Sequence, residues 1–234
     1  MSDNNTSDCV FKAYVVNTHA YDSGEHDAGA WLHFPPCAED IQAVFEEIGL
    51  PPDATQDMYF MDDYICNIEA MKPLLPMYGD IDELVELAQG LYNLLPYERD
   101  KLDAVQSSPM RFTSLEQFRE YPWNVDAFSL SPSIRDDTAL GWSWLQQQGL
   151  TEIPESCKGA IDPIPFGLHC REQEQGAFTD KGYLAPSGDD WQHERPLSKH
   201  DKKQSLKARL KEIKKESTAH DVKPDKPVKH GPEL

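Results

Sequence analysis

FKAYVVNTHAYDSGEHDAGAWLHFP, residues 11 to 35, is the stretch from which the fold is read. Val10 to Asn17 is dense in β-branched and aromatic residues and reads as a strand. It closes on a second strand, Gly29 to Phe34, through a polar, glycine-containing loop, which makes a long hairpin. After Pro35 and Pro36 the period changes: Ile41, Val44, Phe45 and Ile48 fall at i, i+3, i+4 and i+7. That spacing predicts an amphipathic helix ending near Gly49, with Glu39, Asp40, Glu46 and Glu47 off its apolar stripe. Asp57 to Ile65 then reads as a third strand, so residues 10–72 are expected to form a β-β-α-β unit.

Further along, the signals become helical. Asp80 with Glu83 makes an N-terminal capping pattern before Ile81, Leu84, Val85, Ala88, Leu91 and Leu95. A second helix is expected at Tyr97 to Gln106 and a third from Thr113, with Thr113 and Glu116 as its capping box, so residues 73–124 read as a small helical bundle. Residues 125–186 read as a third, α+β unit. It would hold a strand at Val125 to Leu130, a helix from about Asp136 to Gln148, a helix-turn region broken at Pro163 and Pro165, and a strand over Ala177 to Leu184. The fold class is therefore α+β: an elongated chain of three small domains, flanked by a disordered start (1–9) and a basic, largely disordered tail (187–234) with a frayed helix over Lys199 to Lys215.

Charge is distributed very unevenly. Ala13 to Met71 holds twelve acids and no Lys or Arg: Asp22, Glu25, Asp27, Glu39, Asp40, Glu46, Glu47, Asp53, Asp57, Asp62, Asp63 and Glu69. Residues 1 to 192 carry 34 acids against 10 bases, net −24, whereas residues 193 to 234 carry 7 acids against 12 bases, net +5. A block without internal ion pairing repels itself, so a one-signed field of this density suggests a use. Coulomb repulsion excludes nucleic acid and anionic membrane as ligands of the acidic body and leaves basic proteins as its partners. Duplex DNA carries one charge per about 1.7 Å of axis, so the body's excess corresponds to roughly 40 Å, about 12 base pairs.

The start of the chain shows no basic region followed by an apolar run, and no run is long enough to span a bilayer, so a cytoplasmic protein is expected. Cys9, Cys37, Cys66, Cys157 and Cys170 form no CxxC pair and read as reduced thiols. His19, Asp22, Glu25, His26, Asp27 and His33 are the nearest thing to a metal cluster, but their spacing matches no rigid ligand motif. The acid pairs Asp62-Asp63, Glu46-Glu47 and Asp189-Asp190 read as exposed charge, since paired catalytic carboxylates need a pocket that separates their pKa values. No nucleophile elbow, phosphate loop or calcium loop appears, and neither an enzyme nor a cofactor is expected.

Several segments, in order, carry a resemblance. These are the opening hairpin, AEDIQAVFEEIGL (38–50), DIDELVELAQGLYNLL (80–95), ALGWSWLQQQGLTEIPESCKGAIDPIPFG (139–167) and GAFTDKGYL (176–184). Together, over about residues 10 to 186, they resemble the ArdA antirestriction proteins. The resemblance implies an elongated, three-domain, dimeric DNA mimic, carried by mobile elements, that occupies the DNA-binding groove of type I restriction-modification enzymes. It further implies that the twelve acids of the Ala13–Met71 block, with Asp80, Asp82, Glu83 and Glu86, stand in for phosphates. Leu140, Gly141, Trp144, Asp162 and Phe166 would then mark the antirestriction and dimerisation region. One segment departs from the family pattern: Ile161 to His169 reads IDPIPFGLH, with one acid fewer and two prolines more than expected.

The leading expectation is thus a non-catalytic inhibitor of type I restriction, with modification open as a second target, acting as a homodimer. Two alternatives stand beside it: an acidic adaptor for another basic protein, and a metal-dependent enzyme centred on His19, His26 and His33.

Overall fold

The computed structural model describes residues 9–25, 28–149, 154, 157 and 159–195. Among the described residues, the strands and longer helices all belong to the unit that ends at His193. The basic helix expected over Lys199 to Lys215 lies outside the described residues.

The fold is α+β, as expected. The hairpin forms as read: β1 (Phe11–Asn17) pairs antiparallel with β2 (Gly29–Phe34), Tyr14 opposite Trp31. Its loop is not a plain turn. Asn17 caps a short helix, α1 (Thr18–Asp22), its side-chain oxygen accepting from the His19 and Ala20 amides at 3.0 and 3.2 Å. The same side chain donates to the Ile48 carbonyl at 2.9 Å, tying the hairpin loop to the end of α2 (Ala38–Glu47). A polar residue buried at a strand end is tolerable because its side-chain oxygen and nitrogen both find partners. β3 (Tyr59–Cys66), preceded by a 3-10 turn at Gln56–Met58, pairs antiparallel with the other edge of β1, giving the order β2-β1-β3.

The inner face of this sheet is core. Phe11, Ala13 and Val15 of β1, Ala30, Leu32 and Phe34 of β2, and Met61 and Tyr64 of β3 are buried, with Phe11 stacked on Phe34 at 4.7 Å between centroids. Each fully buried aromatic or aliphatic side chain of this kind contributes ~1.5–3 kcal/mol. The cluster does not stop at the sheet. It continues through Leu84, Leu87 and Leu91 of α3 (Ile81–Tyr92) and Leu102 and Val105 of α4 (Pro96–Gln106). Beyond these it takes in Phe118 of α5 (Leu115–Glu120), then Tyr121 and Leu184, so it joins segments from all three expected domains.

Several local expectations are corrected. Leu95 is exposed and opens α4 instead of closing the α3 stripe; Leu87, in its place, is buried. The capping box of α5 is Ser114 with Gln117, one residue later than Thr113 with Glu116. Pro163 and Pro165 begin a helix instead of breaking one, since a missing N–H costs nothing in a first turn. Ala177 to Leu184 is a hairpin, β5 (Ala177–Thr179) and β6 (Gly182–Pro186), and β4 (Phe128–Ser131) pairs with β6 to give the order β4-β6-β5. Residues 187–193, expected to begin the tail, pack on the body. Trp191 lies 5.8 Å from the Phe112 ring and donates to the buried Glu120, and the Gln192 amide donates to Asn124 at 2.7 Å.

Against the second sheet, α6 (Asp137–Gln147) and α7 (Ile164–Glu174) meet at unusually close range. A Cβ on Gly141 would run into the Pro163 carbonyl, and one on Gly167 into the Asp137 carbonyl. Both obstacles are backbone and cannot rotate away. The contact is locked by Arg171, whose guanidinium grips Asp137 with two bonds of 3.0 and 3.2 Å. Gly141→Ala is accordingly expected to destabilise the protein by ~1–3 kcal/mol, read as a lower midpoint in urea unfolding, whereas Gly159→Ala, where a Cβ meets no neighbour, leaves the midpoint unchanged.

Candidate acidic interaction surface

The carboxylates of α2 and β3 in the Ala13–Met71 block are displayed by elements whose opposite faces are buried. On α2, Val44 and Phe45 face the core while Glu39, Asp40, Glu46 and Glu47 are exposed. The first two suit their place. Asp40 accepts the Cys37 amide at 2.9 Å, and acids in a first turn complement the helix dipole. Hydrogen bonding from Cys37 holds the Asp40 carboxyl below its ordinary pKa, and that of Asp57 is lowered by the Thr55 hydroxyl. Glu46 and Glu47 do not suit theirs: they end a helix whose last turn carries no basic residue, where the dipole disfavours negative charge.

Asp62 and Asp63 lie in β3, where neighbours normally point to opposite faces. The register explains why both are exposed. Tyr14 opposes Asp63 and Val15 opposes Met61, so Asp62 is the extra residue of a bulge and the alternation is broken there. Asp22 and Glu25 sit on and after α1, Asp53 before the 3-10 turn, Asp57 within it and Glu69 after β3, all exposed. In α3, Asp82, Glu83 and Glu86 are exposed, and Asp80 is half-buried because its side chain caps the helix, accepting the Asp82 amide at 2.8 Å. Asp27 lies outside the described residues.

Compensation is sparse. Among the described residues the only Lys or Arg pair made by the block is Asp63 with Lys72 at 3.5 Å, so a cation just beyond the block reaches one of its acids. An exposed pair of this kind contributes ~0–1 kcal/mol and does not neutralise the field. One further candidate acid is paired, Glu83 with Arg119 at 3.5 Å; other cations are engaged elsewhere: Arg171 with Asp137, Lys181 with Asp100 and Asp103, Lys101 with the Val125 carbonyl and Arg99 with the Tyr92 carbonyl. Asp100 and Asp103 carry no expectation from the sequence; they share one face of α4, and the fold brings Lys181 to both.

The other candidate groups separate. His33 lies opposite Lys12, and burial followed by that positive charge lowers its pKa; a cation at this position also works against a metal ion. His19 is exposed on α1, and His26 lies outside the described residues. Among the described residues no three His, Cys, Asp or Glu side chains are arranged to hold a metal. Nor is any described helix long and apolar enough to cross a membrane.

Leu140, Gly141, Trp144, Asp162 and Phe166 are brought together in and beside the α6–α7 pair. Leu140 and Gly141 are buried, Trp144 stacks on Phe166 at 5.6 Å, and the Asp162 carboxylate accepts the Ile164 amide at 3.1 Å. Cys170 is buried on α7. Burial and then the charge of Glu174 push its thiol up to about 11; a hydrogen bond with Asp40 also raises the thiol of Cys37, but solvent reaches that residue, so at pH 8 iodoacetamide is expected to alkylate Cys37 faster than Cys170 in the folded protein, as read by peptide mass spectrometry.

No curated protein matches the chain significantly. The family model described as antirestriction protein (ArdA) matches residues 13–185, from the first strand to the last. The hairpin from Ala13 onward, the acidic helices and the α6–α7 pair all fall within that match: the chain belongs to the ArdA family of antirestriction proteins.

Proposed function

We propose that this antirestriction protein acts as a DNA mimic, occupying the basic DNA-binding groove of type I restriction-modification enzymes without catalysing a reaction. The observation that carries this reading is that fourteen of the fifteen described candidate carboxylates are exposed, on or beside regular elements, with Asp80 half-buried as a helix cap. Helices and strands hold charges at fixed spacing, as a duplex holds its phosphates, and a flexible acidic tail does not. The phosphate surrogates are Asp22, Glu25, Asp27, Glu39, Asp40, Glu46, Glu47, Asp53, Asp57, Asp62, Asp63, Glu69, Asp80, Asp82, Glu83 and Glu86. Such binding is steered electrostatically and weakens as salt rises.

Glu46 and Glu47 supply the sharpest test, because they sit where the helix dipole disfavours them. Reversing both to Lys is expected to leave stability unchanged or raise it by ~0.3–1 kcal/mol per site, while weakening inhibition of a type I enzyme by about tenfold or more at low salt. Inhibition undiminished in a folded Glu46→Lys/Glu47→Lys protein contradicts mimicry by this surface. No inhibition by the wild type at stoichiometric excess contradicts the whole reading and favours an acidic adaptor for some other basic protein.

We also assign α7 to a homodimer contact. Ile164 and Leu168, one turn apart, are large apolar side chains left exposed on that helix. Ile164→Glu with Leu168→Glu is expected to sediment as a monomer where the wild type sediments as a dimer.

A further inference from the structure

The outer face of the first sheet is not explained by charge. Trp31, Tyr14 and Asp63 form one cross-strand row on it, and Gly29, Val16 and Phe60 the next. The Tyr14 and Trp31 rings lie 5.2 Å apart. Gly29 makes room for this arrangement: a Cβ there would meet the Tyr14 ring at 2.6 Å, so the ring lies across the neighbouring strand. Phe60, itself buried, supports the rings that continue this surface, with Tyr21 of α1 edge-on at 5.3 Å and Tyr78 at 6.2 Å. The segment bearing Tyr78 is fastened alongside β3 by the Met61 amide, which donates to the Met77 carbonyl at 2.8 Å. Much of this surface is open to solvent: Tyr78 is 70%, Ile65 48%, Tyr21 41% and Trp31 39% exposed.

An aromatic sheet face suits two kinds of ligand. Unstacked nucleobases bind such platforms, but only where basic side chains receive their phosphates. Here the charge has the wrong sign. Asp63 lies within the face, where Lys72 reaches it at 3.5 Å in an exposed pair that an incoming guanidinium can displace, Asp22 follows Tyr21, and Asp57 belongs to the turn against which α1 packs; Lys12 is the cation that the face itself contributes. A guanidinium answers both features at once, because its plane stacks on a ring while its edge pairs with a carboxylate.

We propose that this face is a docking surface for arginine side chains of the partner protein. The proposal rests on the DNA-mimic reading and extends it: carboxylates reproduce the phosphates, and the rings of Trp31, Tyr14, Tyr21 and Tyr78 add contacts that duplex DNA does not offer. Charge supplies the encounter, whereas the aromatic contacts slow dissociation.

The test uses the full chain and a type I restriction enzyme, with the dissociation constant measured across a salt series. Trp31→Ala/Tyr78→Ala is expected to bind about tenfold more weakly at every salt concentration, with the slope against log salt unchanged. Tyr78→Phe, which keeps the ring, is expected to bind as the wild type does, and Tyr78→Ala alone, at the most exposed position, guards against misfolding of the double variant. Affinity within about twofold of wild type for both alanine variants overturns the proposal and leaves mimicry standing. Quenching of tryptophan fluorescence by oligothymidylate would overturn it in favour of base stacking. A wild type that fails to bind the enzyme overturns both.

Discussion

Repulsion among like charges is the constraint on which the rest of the structure depends. Twelve carboxylates within one Lys- and Arg-free block cannot neutralise one another, and among the described residues Lys72 reaches only Asp63. The scaffold must therefore hold them apart against their own field, using interactions that do not involve them. It does so by burying one face of the main elements that display them. Behind α2 lie Val44 and Phe45; behind β3 lie Met61 and Tyr64; behind α3 lie Leu84, Leu87 and Leu91. Because these residues share one apolar cluster, shifting one acidic element disturbs the packing beneath the others.

Where local chemistry would relieve the repulsion, the chain leaves it in place. The last turn of α2 carries Glu46 and Glu47 instead of a basic residue, and the bulge at Asp62 turns two neighbouring acids outward together. Both arrangements cost stability, or at least forgo it, in a protein whose net stability is a small difference between large terms. The cations present in the body are mostly spent on fastening its frame, as with Arg171 on Asp137 and Lys181 on Asp100 and Asp103. An acidic surface maintained at this expense is what the proposed occupation of a basic groove requires.

Much of this was legible in the residues. The alternation of GAWLHF and the 3.6-residue period of Ile41 to Ile48 are one-dimensional signals, and β2 and α2 follow them closely. The exposure of Glu39 to Glu47 could be read from the same period. The misses have a common cause in partners distant along the chain. The bulge at Asp62 is set by the register with β1, the helix-starting role of Pro163 by the close approach of α6, and the seating of Trp191 by Phe112 and Glu120. The aromatic outer face was missed for the same reason. Trp31, Phe60 and Tyr78 are scattered in sequence, and only the pairing of strands assembles them.

Competition with DNA tests the central claim most directly. The affinity of a type I restriction enzyme for a duplex containing its recognition site should be measured at increasing concentrations of this protein. Mutually exclusive occupation predicts that the apparent dissociation constant for DNA rises in proportion to the protein added, without saturating, and that the effect weakens with salt. A plateau, or a ternary complex of enzyme, DNA and this protein, would contradict it, because two ligands that share one groove cannot be bound together.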